Sequence, residues 1–214
     1  MNRFFLALVI FMISIVGSIF SRGQAKFLAL GDSYTIGESV DPDQRWPNQL
    51  AAKLKLPAPE IIATTGWRTD QLMKAIADAD LKPEYALVSL LIGVNNQYQG
   101  KPIEIYEREF EELLQSAINL AKGKKKNVFV VSIPDYGYTP FGKAKQEKIS
   151  AELDQYNAIS KRITTRYGIR YFDITPISRK GLEDTTLVAT DGLHPSGKMY
   201  AQWVELIYTG LKKK

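Results

Sequence analysis

Five short apolar runs, separated by amphipathic stretches, constrain the fold of this chain more than any other feature. They are "KFLAL" (residues 26–30), "EIIATT" (60–65), "YALVSLLIG" (85–93), "NVFVVSI" (127–133) and "RYFDI" (170–174). Several are near-continuous in Val, Ile, Leu and Phe instead of alternating apolar with polar. That pattern suits strands covered on both faces, as in a parallel sheet. The helix-like stretches between them are "PNQLAAKLKL" (47–56), "TDQLMKAIADAD" (69–80), residues 102–122, residues 143–168 with Gly168 as a stop, and a last helix from Pro195 to about Leu211. The alternation predicts one three-layer α/β/α domain with right-handed crossovers. A chain of 214 residues fits a single domain.

In such sheets ligands bind outside the carboxyl ends of the strands, so the residues just past each strand matter most. After the first strand comes "GDSYTIG", where Ser33 either caps a helix or presents its hydroxyl and backbone N–H to a cavity. No Gly-Lys-Ser/Thr follows, so this is not a phosphate loop. After the second comes "TTGWRTD", whose Gly66 is a plain turn glycine or one that aims its N–H inward. After the third comes "IGVNNQY", where Asn95 is a turn residue or a side-chain donor. Near the C-terminus, "TDGLHPSG" sets Asp191 three residues before His194, as an Asp turn beside a surface histidine or as a carboxylate folded onto one ring nitrogen. Taken together, these pieces make a nucleophile, a base, an orienting carboxylate and three oxyanion donors on one rim.

Composition narrows the chemistry. The chain has no cysteine, which excludes disulfides, thiolate zinc sites and cysteine nucleophiles. His194 is its only histidine, so any imidazole chemistry falls to that residue and a multi-histidine zinc site is excluded. The N-terminus reads as an export signal: Arg3, an uncharged apolar run of 17 residues (4–20), then small residues in "GQA" that place cleavage after Ala25. An uncleaved membrane anchor is the alternative. The expected mature chain, residues 26–214, has lost Arg3 and Arg22 and no acidic residue, so its formal charge falls from +5 to +3. Much of that excess sits in "KGKKK" (122–126) and the terminal "KKK", with no aromatic interleaving of the kind a nucleic-acid groove shows. Neither nucleic acid nor, after cleavage, a membrane span is expected.

The four blocks in this order resemble the SGNH hydrolases, also called GDSL-type lipases and esterases. The match runs Gly31-Asp32-Ser33, Gly66, Gly93-x-Asn95 and Asp191-x-x-His194, and spans essentially the whole mature chain. The resemblance implies a flavodoxin-like five-stranded sheet in the order 2-1-3-4-5. It also implies hydrolysis of carboxylic esters without metal or organic cofactor. The expected catalytic residues are Ser33, His194 and Asp191, with the Ser33 and Gly66 amides and Asn95 as the oxyanion hole. Two departures stand out. Asn96 follows Asn95 where the family usually has Asp, predicting altered loop bonding, and bulky Trp67 and Arg68 after Gly66 are expected to shape the acyl or leaving-group side. Loops 134–142, with Tyr136, Tyr138 and Phe141, and 176–189 are candidate walls. The expected substrate is a small-molecule, glycan or lipid ester, with short acyl chains favoured. Lysophospholipase, thioesterase and acyltransferase activities would use the same triad, and a non-catalytic glycan- or lipid-binding module is the reading outside catalysis.

Overall fold

The computed structural model describes residues 25–213. The expected export segment, Ala25 apart, lies outside the described residues. All five apolar runs form strands: β1 (Phe27–Gly31), β2 (Glu60–Ala63), β3 (Leu87–Leu91), β4 (Val128–Val131) and β5 (Arg170–Phe172). They pair in parallel in the order β2-β1-β3-β4-β5. β1 and β4 are buried along their whole length, which accounts for their unbroken apolar sequence.

The helices are α1 (Ser33–Ile36), α2 (Trp46–Leu54), α3 (Thr69–Asp78), α4 (Val94–Tyr98), α5 (Ile103–Leu120), α6 (Gln146–Arg166), α7 (Thr175–Ser178) and α8 (Gly197–Lys212). α2 packs with α8, while α3, α5 and α6 pack together, giving the expected three layers. An aromatic chain fills the interior: Phe27 meets Trp46 at 6.4 Å between ring centres, Trp46 meets Phe129 at 6.3 Å, and Phe129 meets Phe172 at 5.5 Å. Tyr106, Phe110 and Tyr156 form a second cluster with Tyr106 at its centre.

The boundaries shift for local reasons. α6 begins at Gln146 because Lys143–Lys145 form a separate 3-10 turn. Gly168, at φ +68°, stops it where expected. α8 starts after Pro195 with the Ser196 hydroxyl accepting from the Met199 amide at 3.3 Å. The short helices α1, α4 and α7 have too few residues to show a period in sequence. Among the described residues no helix is long and apolar enough to cross a membrane.

Candidate active site

Ser33 opens α1 directly at the end of β1, and Asp32, not Ser33, is the cap of that turn. The Asp32 carboxylate accepts from the Tyr34 amide at 3.0 Å. The serine hydroxyl is therefore not consumed in capping. Its side chain lines a cavity of about 270 Å³ together with Thr65, Gly66, Asn95 and His194. The amides of Ser33 and Gly66 are not taken up by the turn and cap hydrogen bonds of their loops.

Gly66 lies at φ +85° with open space where a Cβ would stand, so its left-handed backbone, not crowding, favours glycine there. Gly93 has both constraints: φ is +128°, and a Cβ would come within 2.4 Å of the Tyr106 ring. That close approach lets α4 begin immediately after β3, so Asn95 sits on a helical turn instead of the expected loop. One Asn95 amide hydrogen goes to the Trp67 carbonyl at 3.0 Å, which fixes the side chain and leaves its second N–H for the cavity.

Asn96 accounts for the departure from the family pattern. It is buried, its carbonyl accepts from the Thr69 amide at 3.1 Å, and its amide donates to the Thr69 hydroxyl at 2.6 Å. The Thr69 hydroxyl in turn donates to Glu109. A carboxylate at position 96 could not donate to an oxygen whose own proton is already committed to Glu109. The amide closes the chain of bonds that ties α3 to α4.

At the other end of the chain, Asp191 and His194 form one compact turn. The Asp191 Oδ1 accepts from the backbone amides of Leu193 and His194, each at 2.9 Å. Its Oδ2 faces His194 Nδ1 at 2.6 Å and also accepts from the Ser39 hydroxyl at 2.7 Å. Since a carboxylate only accepts, Nδ1 carries the proton and Nε2 is the nitrogen left as a base. Partial burial alone would raise the Asp191 carboxyl. The bonds from Ser39, His194 and the two amides overcome it and hold the group well below its ordinary range.

His194 is only 8% exposed, so it is no surface histidine, and its ring meets Tyr34 edge-on at 5.7 Å. Ser33 and His194 share the cavity, but no hydrogen bond joins them in this structure. Such contacts are often long before substrate binds.

The cavity walls differ from expectation in part. Tyr136 and Phe141 line it, joined by Val94, Tyr98 and Leu193, but Tyr138 instead lies beneath Arg179 at 5.9 Å. Loop 176–189 contributes no wall residue; Leu193, in the turn itself, takes that place. Trp67 and Arg68 do not reach the cavity either. Arg68 is held by Asp70 at 2.8 Å and by Gln99 at 2.6 Å, which directs it along the outside of α4. Ser39 is the residue that sequence reasoning missed. A serine six positions past another carries no signal of reaching Asp191.

A model of the GDSL-like Lipase/Acylhydrolase family matches residues 29–202. No curated protein matches the chain. Among solved structures, an acetylxylan esterase from Geobacillus stearothermophilus is similar at 17% identity and TM-score 0.67, covering 90% of this chain and 95% of that one. A lipase/acylhydrolase from Enterococcus faecalis is similar at 19% and 0.65, covering 88% and 96%. A phospholipase A1 from Streptomyces albidoflavus NA297 is similar at 18% and 0.62, covering 87% and 99%. At these identities the likeness shows the fold alone.

Asp32 yields a prediction about stability. Full burial pushes its carboxyl from an ordinary 3.8 up to about 7, against the pull of backbone amides with Tyr34 the strongest, and its Oδ2 has no hydrogen-bond partner among the described residues. The folded protein therefore keeps a proton that the unfolded chain has already lost between those values. This contribution to stability is present below the unfolded value and is lost as pH rises to about 7. A displacement of this size corresponds to roughly 4 kcal/mol. Asp32→Asn carries no such proton, so the difference in Tm, variant minus parent, should widen in the variant's favour from about pH 4 to about pH 7. A difference that stays constant across that range would refute it.

Proposed function

From the premise that the chain belongs to the GDSL-like lipase/acylhydrolase family and is a carboxylic ester hydrolase, we propose that Ser33, His194 and Asp191 are its catalytic triad. The observation that carries this reading is the 2.6 Å bond from His194 Nδ1–H to Asp191 Oδ2, with the imidazole and Ser33 lining one cavity. A serine hydroxyl is a poor nucleophile until a positioned base takes its proton. His194 Nε2 takes that proton as Ser33 Oγ attacks the ester carbonyl, then delivers it to the leaving alcohol. Asp191 keeps the ring in the Nδ1–H tautomer and stabilises the imidazolium. Water, deprotonated by the same nitrogen, attacks the acyl-enzyme and releases the acid and the free serine.

The developing oxyanion is received by the Ser33 amide, the Gly66 amide and the second Asn95 N–H. These donors are held before reaction: Gly66 by its backbone conformation and Asn95 by its bond to Trp67. The cavity, about 270 Å³ and walled by Val94, Tyr98, Tyr136, Phe141 and Leu193, suits a short acyl group. We further propose that the enzyme is exported and that residues 1–25 are removed after Ala25, on the apolar run and the small residues that follow it.

Hydrolysis of p-nitrophenyl esters from acetyl to palmitoyl by residues 26–214 tests the reaction. Turnover should favour the short acyl chains. Ser33→Ala should abolish it, and Asn95→Ala should lower kcat about 10²- to 10³-fold. Full activity in Ser33→Ala would end the serine reading, and near-parent activity in Asn95→Ala would remove Asn95 from the oxyanion site.

For export, the intact mass of the enzyme recovered outside the cytoplasm should correspond to a chain beginning at Lys26. A recovered chain that still carries residues 1–25 would refute cleavage.

A further inference from the structure

We propose that Ser39 is a positioning residue for this hydrolase, its hydroxyl fixing the Asp191 turn, and with it His194, against the segment that carries the nucleophile. The proposal rests on the triad reading above. Four hydrogen bonds hold the Asp191 carboxylate. Three of them, from the Leu193 and His194 amides and from His194 Nδ1, arise within the turn itself. They shape the turn but say nothing of where it stands relative to Ser33. The fourth, from Ser39 Oγ at 2.7 Å, crosses a sequence separation of 152 residues.

Ser39 is rigidly related to Ser33. The amides of Gly37 and Glu38 both donate to the Ser33 carbonyl, at 3.0 and 3.1 Å, so the closing turn of α1 ties the chain to Ser33 immediately before Ser39. Glu38 is held in addition by the Thr65 hydroxyl, beside Gly66. A nucleophile, a loop and a hydrogen bond thus form one short mechanical path from Ser33 to the carboxylate that orients the base.

The backbone adds an independent observation. Ser39 lies at φ +64°, a left-handed conformation that disfavours residues with a side chain. Two residues earlier the same loop meets a similar demand with Gly37, at φ +71°. At position 39 a side chain is kept despite that preference. The residue is exposed, so no buried polar group required satisfaction there. The bond to Asp191 is what the serine supplies and glycine cannot.

The test compares Ser39→Gly and Ser39→Asn with the parent and with Ser33→Ala. Glycine suits the left-handed backbone, so Ser39→Gly should melt at or above the parent temperature, and a loss of rate cannot then be assigned to unfolding. The expected result is a fall in kcat of about 5- to 30-fold, the scale of one solvent-accessible hydrogen bond to a charge. KM should stay within about twofold, because the residue touches no substrate. Asparagine tolerates the same backbone and carries an N–H donor, so Ser39→Asn should recover most of the lost rate.

The single histidine gives a second readout. The downfield Nδ1–H proton resonance can belong only to His194, and it should move in Ser39→Gly and return toward the parent position in Ser39→Asn. Parent-like kcat together with an unmoved resonance in Ser39→Gly would overturn the proposal, as would equal losses in both variants. If no ester is turned over, the rate of fluorophosphonate labelling at Ser33 replaces kcat in the same comparison. Full turnover by Ser33→Ala would instead sink the triad reading and this proposal with it. An inactive Ser33→Ala beside a fully active Ser39→Gly would sink the Ser39 proposal alone.

Discussion

Parallel pairing of β1 with both of its neighbours is the constraint on which the rest of the structure depends. In register, Gly31 stands level with Ala63 of β2 and with Leu91 of β3. Parallel strands all present their carboxyl ends on one rim, so three separate stretches of chain leave the sheet from a common line. Ser33, Gly66 and Asn95 lie two, three and four residues beyond it. A shift of one residue in either pairing would turn every side chain of a strand to the opposite face and carry these groups away from one another. The buried ladder that stabilises the fold therefore also sets the spacing of Ser33, Gly66 and Asn95.

Two aspartates show how environment assigns different roles to one side chain. Asp32 is entirely buried beside Ser33, has one oxygen with no partner among the described residues and is driven toward its neutral form. Its contribution is local: it caps the turn whose first residue is Ser33. Asp191 is only partly buried, and four hydrogen bonds keep it charged. A neutral acid there could not hold the imidazole tautomer that leaves Nε2 free. Burial disfavours charge at the first site, and oriented donors restore it at the second.

The central strands β1, β3 and β4 were legible because burial on both faces demands unbroken apolar runs, while the half-buried edge strands β2 and β5 were read from their place in the alternation. Ser33, Gly66 and Asn95 stood out in the sequence because each closely follows a strand end, and Asp191 and His194 because the lone histidine lies three residues from an aspartate. What stayed hidden depends on contacts between distant segments. Nothing local in "GES" states that Ser39 will meet Asp191. The outward course of Arg68 was equally unreadable, because it depends on Asp70 and on Gln99 from the next strand–helix connection. Loop 176–189 precedes Asp191 in sequence, yet the cavity is completed by Leu193. The Asn96 network shows the same limit: its logic lies in the direction of a proton on Thr69, which is decided by Glu109.

The aromatic wall is built from the elements that carry Asn95 and His194. Tyr98 and Phe141 remain 59% and 52% exposed, although the fold buries most of its large apolar side chains. Each packs against Tyr136 at 6.2 to 6.3 Å, and they stand 6.3 Å from one another. Tyr98 ends the helix that carries Asn95. The Phe141 amide donates to the Gly192 carbonyl at 3.0 Å, inside the turn that carries His194. The wall is thereby tied both to Asn95 and to the turn that holds His194. Any displacement of the turn moves wall and imidazole together, so on the triad reading selectivity and rate are mechanically coupled in this site.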